Sequence, residues 1–150
     1  MVIVDTNALS YVFNSKDIRH SDFAPLFNFI KSRKNILAWG GTTYIEELKR
    51  CPTYLDLFIE FDKQGISRKF PNKPIDTYEG YIYSLINNVA FDDAHIIALQ
   101  VSSKAKIVCS VDERSYPYLK DQIPKVKLYP KRHRRPKIYS KKVNQDLLKK

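Results

Sequence analysis

Long hydrophobic runs are missing from this chain. No apolar stretch approaches the roughly 18–20 residues that a membrane span needs. Nor does the N-terminus show the basic region followed by an apolar segment that marks a secretory leader. Membrane insertion and export are therefore not expected, and the chain reads as cytoplasmic. Cysteine is scarce as well: Cys51 and Cys109 are the only two, far apart and without C-x-x-C spacing. That excludes a disulfide frame and a zinc ribbon and predicts two reduced thiols. The three histidines, His20, His95 and His133, have no ligand-like spacing, so His95 is expected on a helix surface or in a packing role. Acid is nearly absent from the last segment. Residues 131–150 hold nine of the 26 Lys/Arg but one of the 16 Asp/Glu, which puts +8 there and leaves +2 on residues 1–130.

A hydrophobic fraction of 43% over 150 residues is enough for one domain with a real core. Val2 to Val4, Ile36 to Trp39 and Ile107 to Val111 are short continuous apolar runs, the signature of strands buried on both faces. Between them lie helical patterns. Thr6 to Phe13 is one, and Ser21 or Asp22 caps another that ends near Lys31. Further helices are expected from Thr42 or Thr43 to Pro52, over Thr53 to Lys63, over Ile75 to Asn87, and from Asp92 or Asp93 to about Ser103. Lys125 to Tyr129 reads as a last strand. Strands alternating with helices predict an α/β fold with a mainly parallel central sheet. Apolar periodicity fades between Pro130 and Pro136, so the sequence predicts a domain over 1–130 and a basic C-terminal tail over 131–150. That tail is either a solubilising end or an arm for a polyanion, with nucleic acid favoured. Its candidate nucleic-acid-binding cations are Lys131, Arg132, Arg134, Arg135, Lys137, Lys141 and Lys142.

Two apolar runs finish in the same way, the first at Asp5 and the third in Ser110-Val111-Asp112. In an open parallel sheet, ligands sit beyond the carboxyl ends of the strands. Each aspartate can equally be a helix cap or a turn residue. In "FDDAHIIALQV", Ala94, Ile97, Ala98 and Val101 mark a buried face, and Asp93 borders it while Asp92 fits an N-cap. In "TTYIEELKR", Tyr44, Ile45 and Leu48 define the apolar side. On a helical wheel Glu47 falls roughly 105° from its centre and Glu46 roughly 155°. Glu47 is therefore the candidate, although two solvated glutamates pairing with Lys49 and Arg50 would satisfy the same pattern. Several carboxylates in one crevice repel each other unless a cation sits among them. A hard divalent ion, Mg²⁺ or Mn²⁺, suits such oxygens, and the chemistry it favours is phosphodiester hydrolysis.

In order and context these segments resemble the PIN domain, the family that includes the VapC-type toxin ribonucleases. "VIVDTN" resembles its opening strand and D-T-N, "YIEELK" its glutamate helix, "DDAHIIAL" its third-acid segment, and "IVCSVDERSY" its strand ending in T/S-x-D. The resemblance covers roughly residues 1–130. It implies a PIN-like α/β/α sandwich and a Mg²⁺- or Mn²⁺-dependent endoribonuclease acting on RNA rather than DNA. Asp5, Glu47, Asp93 and Asp112 would hold the metal, and Asn7 and Ser110 would bond to the carboxylates or the scissile phosphate. It also implies an antitoxin partner and a homodimer as expectations. The alternative is a PIN-like RNA-binding module with little cleavage that works through its tail. Tyr116, Tyr118 or Tyr139, where exposed, offers a ring for stacking on unpaired bases.

Overall fold

A computed structural model describes residues 1–86 and 91–149. Five strands form one sheet in the order β3-β2-β1-β4-β5, and every pairing is parallel. They are β1 (Val2–Val4), β2 (Leu37–Gly40), β3 (Ser67–Phe70), β4 (Ile107–Cys109) and β5 (Lys137–Tyr139). The three central strands are the three apolar runs, and all their residues are buried. The connections carry α1 (Leu9–Phe13), α2 (His20–Lys31), α3 (Thr42–Lys49), α4 (Pro52–Lys63), α5 (Asn72–Leu85), α6 (Ala94–Ser103) and α7 (Tyr116–Leu119). No helix among the described residues is long and apolar enough to cross a membrane.

The chain steps outward from β1 through β2 to β3, then returns across the sheet to β4 on the other side of β1. Right-handed crossovers in these opposite senses lay helices on both faces, giving an α/β/α sandwich. They also leave a topological switch point at the carboxyl ends of β1 and β4, the place where open parallel sheets form their ligand crevice. Gly40 and Gly41 close β2 because nothing larger fits. A Cβ on Gly40 would lie 2.4 Å from the Phe70 carbonyl oxygen, and one on Gly41 would lie 2.6 Å from Ile75 Cγ2, both at positive φ. This tight exit sends α3 toward the crevice, where the Tyr44 hydroxyl donates to the Val4 carbonyl at 2.5 Å.

Two expectations need correction, and two strands are not among those expected. Lys125 to Tyr129 is not a strand, because Lys125 takes a left-handed φ of 62°. The segment is pinned by side chains instead: Asp121 accepts from the Leu128 amide at 2.9 Å and Tyr78 donates to the Leu128 carbonyl at 2.6 Å. The fifth strand is Lys137–Tyr139, so the compact fold runs past residue 130 and through the expected tail. Tyr139 is fully buried, packs 5.8 Å from Phe23 and donates to the Asp22 carbonyl at 2.9 Å. Beyond it Leu147 and Leu148 lie against the core. A single buried tyrosine among cations carries no periodic apolar signal, which is why this strand is hidden in the sequence. β3 is hidden for the same reason: Arg68 and Lys69 point outward and only Ser67 and Phe70 are buried. Charges of this kind protect an edge strand from pairing with other chains.

The helices differ in detail. α2 begins at His20 with Arg19 in the cap position, so neither Ser21 nor Asp22 caps it. α5 starts three residues before Ile75, and Asn87, its expected end, lies outside the described residues. α6 is buried on every side from Ala94 to Gln100 rather than on one face, because it is enclosed by the sheet, α3 and α5.

Candidate metal centre

Asp5 follows β1 directly, with its amide bonded to the Cys109 carbonyl of β4 at 2.8 Å. It opens a 3₁₀ turn over Thr6–Ala8, yet its side chain makes no capping bond. Its Oδ2 accepts instead from Asn7 Nδ2 and from Ser110 Oγ, both at 3.0 Å. Asn7 Oδ1 in turn accepts from the Val111 amide at 3.2 Å. The carboxylate is thus held by the ends of two neighbouring strands and is only 2% exposed.

Asp93, not Asp92, occupies the N-cap position of α6, and again no capping bond forms. The hydroxyl of Ser115 donates to Asp93 Oδ2. Asp92 is exposed beside it. Asp112 does act as a cap, because Oδ1 accepts from the Arg114 amide at 3.2 Å. The Arg114 guanidinium also grips both of its oxygens, each at 3.0 Å. The cap reading therefore fails for Asp5 and Asp93 and survives for Asp112.

On α3, Glu46 faces solvent and pairs with Lys49 at 3.0 Å. Glu47 turns inward, where Oε2 accepts from the Thr6 hydroxyl at 2.8 Å and lies 3.2 Å from His95 Nε2. That last contact is an electrostatic pairing without hydrogen-bond alignment. His95 is fully buried, and neither of its ring nitrogens has a hydrogen-bond partner among the described residues. Of the two roles expected for His95 the surface one is corrected: the ring is buried, packs against Tyr44 and stands within the acidic cluster. Ligand atoms of Asp5, Asp93 and His95 all lie within 4.8 Å of one another, as do those of Asp92, Asp93 and Asp112. Asp93 joins the two groups. The cluster could hold a metal ion, and Glu47 borders it through His95.

The electrostatics follow from this crowding. Burial, then the Asp93 charge, pushes Asp5 up to about 7, while His95 and the Ser110 bond oppose the rise. Burial also raises Asp93, helped by Asp92 and Asp112 and opposed by Ser115 and His95. For Glu47 burial pushes upward, but contact with His95 and the Thr6 bond together hold it below its ordinary value. For His95 burial pushes downward, and Glu47, Asp5 and Asp93 outweigh it so that its pKa is raised. The Arg114 bond holds Asp112 low. Buried oxygen donors that destabilise each other's charge, beside an imidazole whose nitrogens make no hydrogen bond to a described residue, form a donor set that fits a divalent cation.

The tyrosines and cations named from the sequence are distributed otherwise. Tyr139 is in the core, Tyr118 is stacked on Phe91 at 4.0 Å, and the Tyr116 hydroxyl bonds to the Ser110 carbonyl at 2.7 Å. Tyr83 is 43% exposed, and burial followed by the charges of Glu79, Asp92, Asp93 and Glu47 raises its pKa. Thr42 and Thr43 of α3 bond to Asp76 and Glu79 of α5, and one turn further along each helix this register sets Tyr83 opposite Glu47. Arg135 is not a free arm, since it pairs with the buried Asp121 at 2.5 Å and lies over the Tyr129 ring. Lys131, Arg132 and Arg134 precede β5 and lie at the amino-terminal edge of the sheet, where Lys137 begins the strand. Lys141 and Lys142 follow its carboxyl end.

Thr6, His95 and Ser115 are the participants that sequence reasoning missed. His95 had a signal, two residues after Asp93 in a helix with no polar face. Comparison with protein-family models, with curated proteins and with solved structures returns no match in any of the three. The site must therefore be read from its own geometry.

Proposed function

We propose that this chain is a PIN-like, Mg²⁺- or Mn²⁺-dependent endoribonuclease. The observation that carries the reading is the convergence of Asp5, Asp93 and His95, with Asp92 and Asp112 on the same aspartate, at the switch point of a parallel sheet. Asp5 and Asp93 would be the main ligands, with Asp112 on the solvent side and Glu47 on the inner side. A bound divalent ion would supply charge stabilisation for a phosphodiester and lower the pKa of a coordinated water.

The protein's own groups have distinct tasks in this reading. Asn7 and Ser110 fix the Asp5 carboxylate by bonding to one oxygen, which leaves Oδ1 without a hydrogen bond from any described residue. Thr6 and His95 hold the Glu47 carboxylate, and Ser115 orients Asp93. Arg114, with its side chain 75% exposed, is free to turn from Asp112 toward a phosphate oxygen. Tyr83 offers an exposed ring for an unpaired base, a contact that tolerates sequence variation.

The test is to incubate purified protein with single-stranded RNA and DNA in Mn²⁺, with EDTA as control. RNA should be cut in Mn²⁺ and spared in EDTA, and Asp93→Asn should abolish cutting. Asn7→Ala, which loosens Asp5 without removing a ligand, should cost about 10–100-fold. Glu47→Gln should cost more than Glu46→Gln. Intact RNA that stays bound to wild type in Mn²⁺ would replace this reading with a binding module.

A further inference from the structure

We infer that the edge of the sheet opposite the acidic crevice carries a separate binding site for the phosphate groups of a polynucleotide, built by Lys104, Lys106, Lys131, Arg132 and Arg134. These five cations line a concave pocket of about 380 Å³. Two come from the body of the chain and three from the segment that leads into β5. Their elements converge because β4 sits between β1 and β5: the Lys106 amide bonds to the Met1 carbonyl and the Lys137 amide to the Lys106 carbonyl, each at 2.9 Å.

The pocket is held from beneath. Gln100 is 1% exposed, and its Nε2 donates to the carbonyls of Ala105 at 2.8 Å and Arg134 at 3.1 Å. Its Oε1 lies 2.8 Å from His133 Nε2, and the His133 ring stacks on Tyr129 at 5.8 Å. One buried amide thus locks both basic loops. Lys104 and Arg132 each turn their loop through a left-handed conformation, at φ 57° and 66°. None of the five cations has a carboxylate within ion-pairing distance among the described residues. The pocket is therefore positive and preformed, and burial together with Arg135 and Lys104 lowers the pKa of His133 on its floor.

Phosphate is the ligand chemistry that fits. A protein partner anchors on buried aromatic or aliphatic hot spots, and the large exposed apolar side chains, Ile18, Ile59, Tyr81, Tyr83, Leu85 and Val143, include no member of this pocket. Phosphate contacts need only charge and donors and carry no sequence requirement. α6 connects the two sites, with Asp93 at one end and Lys104 at the other. Eleven residues at 1.5 Å per residue separate them by about 16 Å. The pocket is thus too far from the crevice to touch the scissile phosphate and adds affinity only for a polymer long enough to reach it. The inference rests on the nuclease reading for its substrate, but it is tested by binding without metal.

The experiment measures binding of a labelled 30-nucleotide RNA to the full chain in EDTA across a salt series. Lys104→Glu, Lys131→Glu and Arg134→Glu combined should weaken binding at least tenfold. Loss of three phosphate contacts should also lower the slope of log K against log salt by about 2. The charge-conserving combination Lys104→Arg, Lys131→Arg and Arg134→Lys should bind like wild type, and circular dichroism confirms that each variant is folded. Unchanged affinity and slope would overturn the site. So would an equal loss in a control with glutamate at Lys16, Lys49 and Lys73, since that would reduce the effect to net charge. Stronger competition by polyglutamate than by unlabelled RNA would reassign the pocket to an acidic protein. Failure of the nuclease reading looks different: no cleavage in Mn²⁺ while this binding persists.

Discussion

Replacing Asp5 by asparagine should stabilise the metal-free protein, and the gain should grow with pH. Burial and Asp93 raise this carboxyl from an ordinary 3.8 to about 7 in the folded chain. The native state therefore holds the proton where the unfolded chain has already released it. Such a group contributes its stability fully below the unfolded pKa and loses it as pH rises through the folded one. At 1.36 kcal/mol per unit, the complete swing is about 4 kcal/mol, of which roughly 3 kcal/mol falls between pH 5 and pH 8. Asparagine removes the charge and keeps the network, because both hydrogen bonds to Asp5 end on one oxygen and an amide oxygen accepts two. The gap between Asp5→Asn and wild type should thus widen by roughly 3 kcal/mol from pH 5 to pH 8 in EDTA. With an m-value near 2 kcal/mol/M, that is about 1.5 M in the urea midpoint. The fluorescence of Trp39, the only tryptophan and 3% exposed, reports unfolding. Mn²⁺ at about 100 times its dissociation constant should then add about 2.7 kcal/mol to wild type and much less to the variant. A gap that does not change with pH, or that narrows as pH rises, would refute the reasoning.

Other consequences can be checked in parallel. A chain ended after Pro130 should lose its cooperative thermal transition, since it lacks β5 and Tyr139, and Tyr139→Ala alone should cost about 3–5 kcal/mol. A normal melt with only weaker RNA binding would show that β5 is dispensable. Arg114→Ala should tighten Mn²⁺ binding several-fold in calorimetry, because the guanidinium that occupies both oxygens of Asp112 competes with a cation for them. Weaker Mn²⁺ binding in this variant would mean that Arg114 instead holds Asp112 in place for the metal.

The central strands were legible because they are buried on both faces, so each residue had to be apolar. The same logic placed Asp5 and Ser110 at strand ends, where a polar residue after an apolar run has only the crevice to face. Glu47 and Glu46 could be separated from helical angle alone, because Tyr44 and Leu48 fixed which side of α3 is buried. Where an element is half-exposed that logic weakens. β3 and β5 each bury two residues or fewer among cations, so neither announced itself, and Lys125 to Tyr129 imitated the last strand through alternation.

The sequence by itself determined the parallel α/β core and which acids stand at its strand and helix ends, since local apolar pattern reports how deeply an element is buried. Only the tertiary structure decided what those acids meet. His95 reaches Glu47 from another helix, Ser110 reaches Asp5 across 105 positions, and the cations expected to form one tail divide between the two edges of the sheet. Such contacts depend on strand order and packing, and no local pattern encodes which distant side chains a fold will bring within a few ångströms.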